Sequence, residues 1–167
     1  MVYLAGKATS EAEGEKLIRH ALTSGAAVEK LRAMIKGQGG DPAVIDDYGK
    51  FPKAKASHHV TAHRAGFVSG LDALFVGQAS VALGAGRDKK GDPVDLSAGI
   101  RIVRKPGEAV AAGEPVLELL YNDDARLPNA IAIAKKAITI DEVAPPPASL
   151  VLGWVHADGE TMFAPAG

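Results

Sequence analysis

Five histidines occur in the sequence, and His58, His59 and His63 are the one place where they gather. His59 and His63 have the i, i+4 spacing with which one helix face holds a zinc ion. The segment around them alternates like a strand, however, and over a strand four residues span about 13 Å. No cysteine or Glu-x-x neighbour completes a ligand set. These histidines therefore read as polar surface positions. Two glycine clusters, Gly37-Gln38-Gly39-Gly40-Asp41 and Gly84-Ala85-Gly86-Arg87, have the composition of phosphate loops. Both follow helical patterns, which puts them at the negative end of the dipole, and neither continues into Lys-Ser or Lys-Thr. The first reads as helix termination. The second opens a charged stretch, Arg87, Asp88, Lys89, Lys90 and Asp92, and is expected to be a mobile loop. Asp88, Asp92 and Asp95 lack EF-hand spacing and its closing Glu, so they read as loop-capping and solvated carboxylates. Ser69-Gly70 and Ser97 lack a nucleophile elbow. Trp154 reads as an anchor against a core.

Elements must hold these positions, and the chain is long enough to supply them. At 167 residues it allows one compact domain, or one with a fragment, and such a domain buries roughly 70% of its unfolded surface. Hydrophobic residues make up 47% and charged residues 23%, which excludes wholesale disorder. Nineteen Lys plus Arg stand against twenty Asp plus Glu, a net charge of -1, so there is no basic surplus with which to bind nucleic acid through phosphates. The absence of cysteine removes disulfides and thiol chemistry and suits a reducing compartment. No signal peptide or membrane span is visible, and the chain reads as cytoplasmic.

The fold class expected is α+β. Residues 1-50 form a helical leader. Ser10 and Glu13 have capping-box spacing ahead of Leu17, Ile18, Ala21 and Leu22, and Gly25 ends that helix. Val28, Leu31 and Ile35 stripe a second helix that stops at Gly37, and Pro42 opens a short third one. From Ser57 short strands take over, through Val60, Ala62 and Gly66 to Val68. A helix spans Asp72 to Leu83 with Gly84 as its C-cap. Ile100 and Ile102, Val110, and Val116 to Leu120 read as further strands, followed by a helix over 124-137 and a strand from Ala137 to Ile140. The triple proline at 145-147 is a stiff break. Beyond it, Leu150 to Val155 and Thr161 to Phe163 read as a hairpin turned by Asp158-Gly159 in a type I′ turn.

Taken in order, Leu4-Ala5-Gly6-Lys7, Ser24-Gly25-Ala26-Ala27, Met34-Ile35, Gln38-Gly39-Gly40-Asp41-Pro42, Ala65-Gly66-Phe67-Val68 and Leu83-Gly84-Ala85-Gly86-Arg87 resemble the C-terminal third of the pyrimidine-nucleoside phosphorylases, the family that includes thymidine phosphorylase. The resemblance continues through Asp92-Pro93-Val94-Asp95, Gly99-Ile100, Lys105-Pro106-Gly107-Glu108 and the run Val110 to Val116. It implies reversible phosphorolysis of a pyrimidine nucleoside to free base and pentose 1-phosphate, in a cleft that closes between domains. It further implies that 1-50 are trailing helices of the nucleoside-binding α/β part. Residues 57-140 would be the C-terminal hammerhead lobe, a barrel-sandwich of short strands with packed helices, and 141-167 a Pro-rich linker with a terminal hairpin. The family's Lys-His-Ser-Thr-Gly-Gly phosphate motif has no counterpart here; Thr23-Ser24-Gly25 at a helix end is the nearest approach. Met1 falls where the family has an interior residue.

The expectation is thus the C-terminal piece of such an enzyme, inactive alone, with phosphate and nucleoside as partners only alongside an N-terminal part, and a homodimer when complete. No catalytic, cofactor-binding or metal-ligating residue is assigned, and no cofactor is expected. Gly84, Gly86, Arg87 and Asp88 form the candidate domain-closure loop. The alternative is a non-enzymatic carrier or interaction module with a lipoyl-like fold, for which Lys105 is poorly placed because it precedes Pro106 at the start of a turn.

Overall fold

The computed structural model describes residues 1-87, 89-147 and 151-162. The chain divides into two compact units, Met1–Pro52 and Lys53–Gly167.

The first unit is two helices and two short 3₁₀ turns. Helix α1 (Glu11–Thr23) starts at Ser10, whose hydroxyl accepts from the Glu13 N–H. The reciprocal arm of the capping box is displaced by one residue: the Glu13 carboxylate accepts from the N–H and hydroxyl of Thr9, which holds its pKa below the usual value. Helix α2 (Ala26–Gly37) runs to Gly37 as expected, but the left-handed residue is Gly39, at φ +81°. The Gly39 and Gly40 N–H groups bond back to the Lys36 and Ile35 carbonyls at 3.1 and 2.9 Å, a complete Schellman closure. Asp41 and Asp47 cap the turns Pro42–Ile45 and Tyr48–Lys50. Arg32 on α2 grips Asp46 with both guanidinium nitrogens, at 2.8 and 3.1 Å, and so ties the turns to the helix. The apolar stripe read from the sequence is present but uncovered. Leu17, Ile18, Leu22, Val28, Leu31 and Met34 are all exposed, and Ala8 is the one buried apolar side chain among the described residues of this unit.

The second unit mixes helices with small antiparallel sheets, which is the α+β class expected. Strands β1 (Ala56–Thr61), β3 (Gly99–Ile102) and β5 (Pro115–Tyr121) form one sheet in the order β1-β5-β3. Strands β2 (Gly66–Leu71), β4 (Ala109–Val110) and β6 (Ile138–Asp141) form another, ordered β4-β2-β6. Helices α3 (Ala73–Ser80) and α4 (Leu127–Lys136) pack together through Ala79, Ala130 and Ala134, all fully buried. Their small side chains let the backbones approach closely, and Val60, Val68, Leu83, Val110, Val116, Leu117, Leu119 and Ile140 complete the core. Gly66 is obligatory: its φ is +155°, and a Cβ there would stand 2.4 Å from the Asp141 carbonyl oxygen on the paired strand.

Two readings of the sequence change in this unit. Helix α4 begins at Leu127 rather than near 124, because the Asp123 carboxylate and carbonyl hold 123-126 in a turn through the N–H groups of Ala125 and Arg126. The terminal hairpin exists as β7 (Gly153–His156) and β8 (Gly159–Met162), but its register pairs His156 with Gly159 and makes Ala157-Asp158 the two-residue loop. Neither loop residue has a positive φ, so the turn is not type I′. Gly159 instead opens β8 at φ +146°. Leu150 and Phe163 lie outside the described residues.

Candidate functional site

The candidate loop grows out of α3. Asp72 caps that helix, its carboxylate accepting from the Leu74 and Phe75 N–H groups at 2.8 and 3.2 Å. The helical backbone runs to Leu83, as the sequence leads one to expect. It widens into a π-type turn over Val81–Ala85, within which Gly84 takes φ +103°, ψ 1°. Gly84 thus has the left-handed backbone that the sequence assigned to it as a C-cap, and the helical run breaks there. This conformation turns its buried carbonyl toward the far end of the loop, where it accepts from the Asp95 N–H at 2.9 Å. Gly86 is extended, and a Cβ on it would meet Val81 Cγ2 at 2.6 Å. Arg87 is exposed and makes no side-chain hydrogen bond or ion pair among the described residues. Asp88 lies outside the described residues. Asp92 caps the loop internally, accepting from the Lys89 N–H at 2.9 Å.

What fastens the loop's return is Asp95, the loop-capping carboxylate expected from the sequence, joined by Asn122, which the sequence did not single out. The Asp95 carboxylate accepts from Asn122 Nδ2 at 2.5 Å, from Ser97 Oγ at 2.8 Å and from the Ser97 N–H at 3.0 Å. These bonds, Asn122's first and then those of Ser97, favour the ionised form and hold its pKa at about 2. Asn122, at the end of β5, also donates to Ser97 Oγ at 2.7 Å and accepts from the Lys55 N–H at 2.8 Å. One carboxamide therefore joins the entry of the unit, the end of its central strand and the loop. Next to it lies a cleft of about 200 Å³ lined by Leu83, Gly84, Pro93, Asp95, Asp123 and Arg126. Arg126 reaches both toward Asp123, at 3.5 Å, and toward Gly84. Only the Asp95-Leu96-Ser97 spacing of a side-chain-capped turn hinted at this arrangement.

The three histidines do not converge. His58 and His59 are successive on β1 and so point to opposite faces, His58 opposite Leu119 and His59 opposite Glu118. Glu118 is a buried carboxylate at the middle of the β1-β5-β3 sheet. Arg101 on β3 pairs with it from one side, and His59 Nε2 lies 3.8 Å away on the other. His63 lies beyond the end of β1, in a different cleft.

With this geometry in view, the comparisons with known proteins are decisive. Residues 67–141, from the second residue of β2 to the last of β6, match the family described as pyrimidine nucleoside phosphorylase C-terminal domain. This stretch is a pyrimidine nucleoside phosphorylase C-terminal domain. The chain is also 39% identical over 145 residues to a pyrimidine-nucleoside phosphorylase of Staphylococcus aureus (strain USA300), covering 83% of this chain and 34% of that protein. It is 40% identical over 122 residues to the pyrimidine-nucleoside phosphorylase of Bacillus subtilis (strain 168), covering 73% and 28%. The chain therefore spans about a third of the length of the curated relatives it matches. The pyrimidine nucleoside phosphorylase domain contains the whole Gly84 to Asp95 loop together with Asn122 and Arg126. No helix among the described residues is long and apolar enough to cross a membrane.

Proposed function

We propose that this chain is the C-terminal lobe of an enzyme that reversibly phosphorolyses pyrimidine nucleosides to free base and pentose 1-phosphate, and that its 167 residues are inactive without the region carrying the phosphate and nucleoside ligands. The observation that carries this reading is the likeness over 83% of the chain to a phosphorylase of which it covers 34%. It begins in the helical leader and runs through the Gly84 loop. On this reading 1-50 are trailing helices of the nucleoside-binding part, whose exposed apolar face packs on that part. Residues 57-140 are a hammerhead lobe of barrel-sandwich form, 141-167 a linker and hairpin, and the complete enzyme a cytoplasmic homodimer. The loop of Gly84, Gly86, Arg87 and Asp88 closes over the cleft when substrate binds. Closure excludes water, so that phosphate rather than solvent attacks the sugar carbon, while Asn122 and Asp95 keep the loop's return fixed. Chemistry is therefore sensitive to this lobe although the lobe holds no reacting group.

The test is phosphate-dependent release of uracil and thymine from their nucleosides, measured on this chain alone and on a chimera joining it to the N-terminal two thirds of the Bacillus subtilis relative. The chimera is expected to turn over, and the chain alone to match a protein-free blank. Base release by the chain alone would overturn the assignment of all substrate ligands to the other part. A folded chimera that binds nucleoside without turning it over would overturn the role of this lobe in closure.

A further inference from the structure

The end of β1 carries a cleft that the phosphorylase reading does not use. A bulge between Val60 and Thr61 shifts the β1-β5 register there. The strand end thereby faces the last turn of α4 and the start of β6. The cleft has about 250 Å³ and is lined by Val60, Thr61, His63, Lys135 and Ile138. At ~30 Å³ per water this is room for roughly eight waters, more than phosphate alone requires.

The chemistry of the lining is one-sided. Val60 and Ile138 make an apolar floor. The polar groups are a hydroxyl, an imidazole and an ammonium, and no carboxylate is among them. Neither His63 nor Lys135 has a side-chain hydrogen bond or ion pair among the described residues, whereas three arginines of the unit are engaged. Arg64, the neighbour of His63, is held by the Ile140 carbonyl and Asp141, and Arg101 and Arg104 are paired with Glu118 and Glu114. Of the two acidic residues that follow Ile138, Asp141 is taken up by Arg64 and Glu142 is exposed, outside the lining. An ammonium, an imidazole N–H and a hydroxyl around a common space are donors for a phosphoryl group, and the apolar floor offers a surface for a small organic body.

We propose that this cleft binds a phosphate monoester, with Lys135 and His63 on the phosphoryl oxygens, Thr61 donating its hydroxyl, and the organic part lying on Val60 and Ile138. The site is separate from the Gly84 loop, and its existence does not depend on the catalytic reading above.

The experiment follows the imidazole C2–H resonances of all five histidines by NMR in the 167-residue chain. Ribose 5-phosphate, inorganic phosphate and sodium chloride are titrated at matched ionic strength. The His63 resonance, assigned with His63→Gln, is expected to move saturably with ribose 5-phosphate and not with chloride, while those of His20, His58 and His59 stay in place. Lys135→Gln should weaken binding at least five-fold and leave the spectrum of the folded chain otherwise unchanged, since Lys135 is exposed. Tighter binding of ribose 5-phosphate than of inorganic phosphate identifies the sugar ester as the source, and equal binding identifies free phosphate. Shifts shared by all the histidines, no saturable shift at His63, or unaltered affinity in Lys135→Gln would each overturn the proposal.

Discussion

Gly84 and Gly77 lie seven positions apart, Gly77 inside α3 and Gly84 at the kink that ends its helical run, and alanine should have opposite effects at the two. At Gly84 an added Cβ meets only ordinary contacts, 3.7 Å to Arg126 Nη1 and 3.7 Å to Asp95 Cβ, so no clash arises. The cost lies in the backbone, because φ is +103° and an L side chain held in the left-handed half of the map loses roughly 1-2 kcal/mol. The backbone cannot relax to a normal helical φ without turning the Gly84 carbonyl away from the Asp95 N–H, 2.9 Å distant, and releasing the loop. At Gly77, inside α3, nothing lies within 4 Å of the added methyl. Alanine there removes a helix penalty of roughly 0.5-1 kcal/mol. For a unit of this size 1 kcal/mol moves the midpoint by about 4 °C. Gly84→Ala should then lower the melting temperature by roughly 4-8 °C, and Gly77→Ala should raise it by about 2-4 °C. Scanning calorimetry reads both, with amide exchange on β5 used to assign the transition to the second unit. Equal and stabilising effects at the two positions would refute the left-handed hinge.

Asp95 makes the second unit sensitive to acid in a defined window. Its pKa is lowered from 3.8 to about 2, so its stabilising contribution is complete above pH 4 and disappears as pH falls toward 2. Asn122→Ala should therefore be less stable than the parent at pH 6, with the difference narrowing between pH 4 and pH 2; a gap independent of pH, measured by urea unfolding, would contradict this linkage. The uncovered leader stripe of Leu17, Leu22, Leu31 and Met34 should bind a hydrophobic dye or drive self-association, and replacing all four by Gln should abolish both while helix content stays. A monomeric parent with no dye response would count against it. In the chimeric enzyme Arg87→Ala should reduce kcat roughly ten- to a hundred-fold, the equivalent of a charge-assisted contact of ~1.5-3 kcal/mol made only on closure. Melting should be unchanged because Arg87 makes no side-chain hydrogen bond or ion pair among the described residues, and a fall in kcat that merely tracks a fall in Tm would assign it a structural role.

Local signals were legible wherever a short-range hydrogen bond decides the backbone. Ser10, Asp41 and Asp72 cap as their types and positions require, because each side chain reaches an N–H two or three residues ahead and needs nothing from the rest of the fold. The helical and strand segments followed from periodicity for the same reason, and the family resemblance was carried by short motifs at turns. Where several glycines or turn residues were available, tertiary structure chose among them. Gly39 rather than Gly37 is left-handed, and Ala157-Asp158 rather than Asp158-Gly159 forms the hairpin loop, since a shift of one residue in closure or register conserves the local pattern. Strand order was decided only in three dimensions. The β1-β5-β3 sheet joins segments nearly sixty residues apart, and the burial that stabilises each pairing comes from helices contributed elsewhere in the chain. The same holds for the two sites. Asn122 reaches Asp95 across 27 positions and Lys55 across 67, and Lys135 shares a cleft with His63. Spacing in sequence constrains distance only within an element, and these side chains meet because packing the two sheets around α3 and α4 brings the ends of distant elements to one surface.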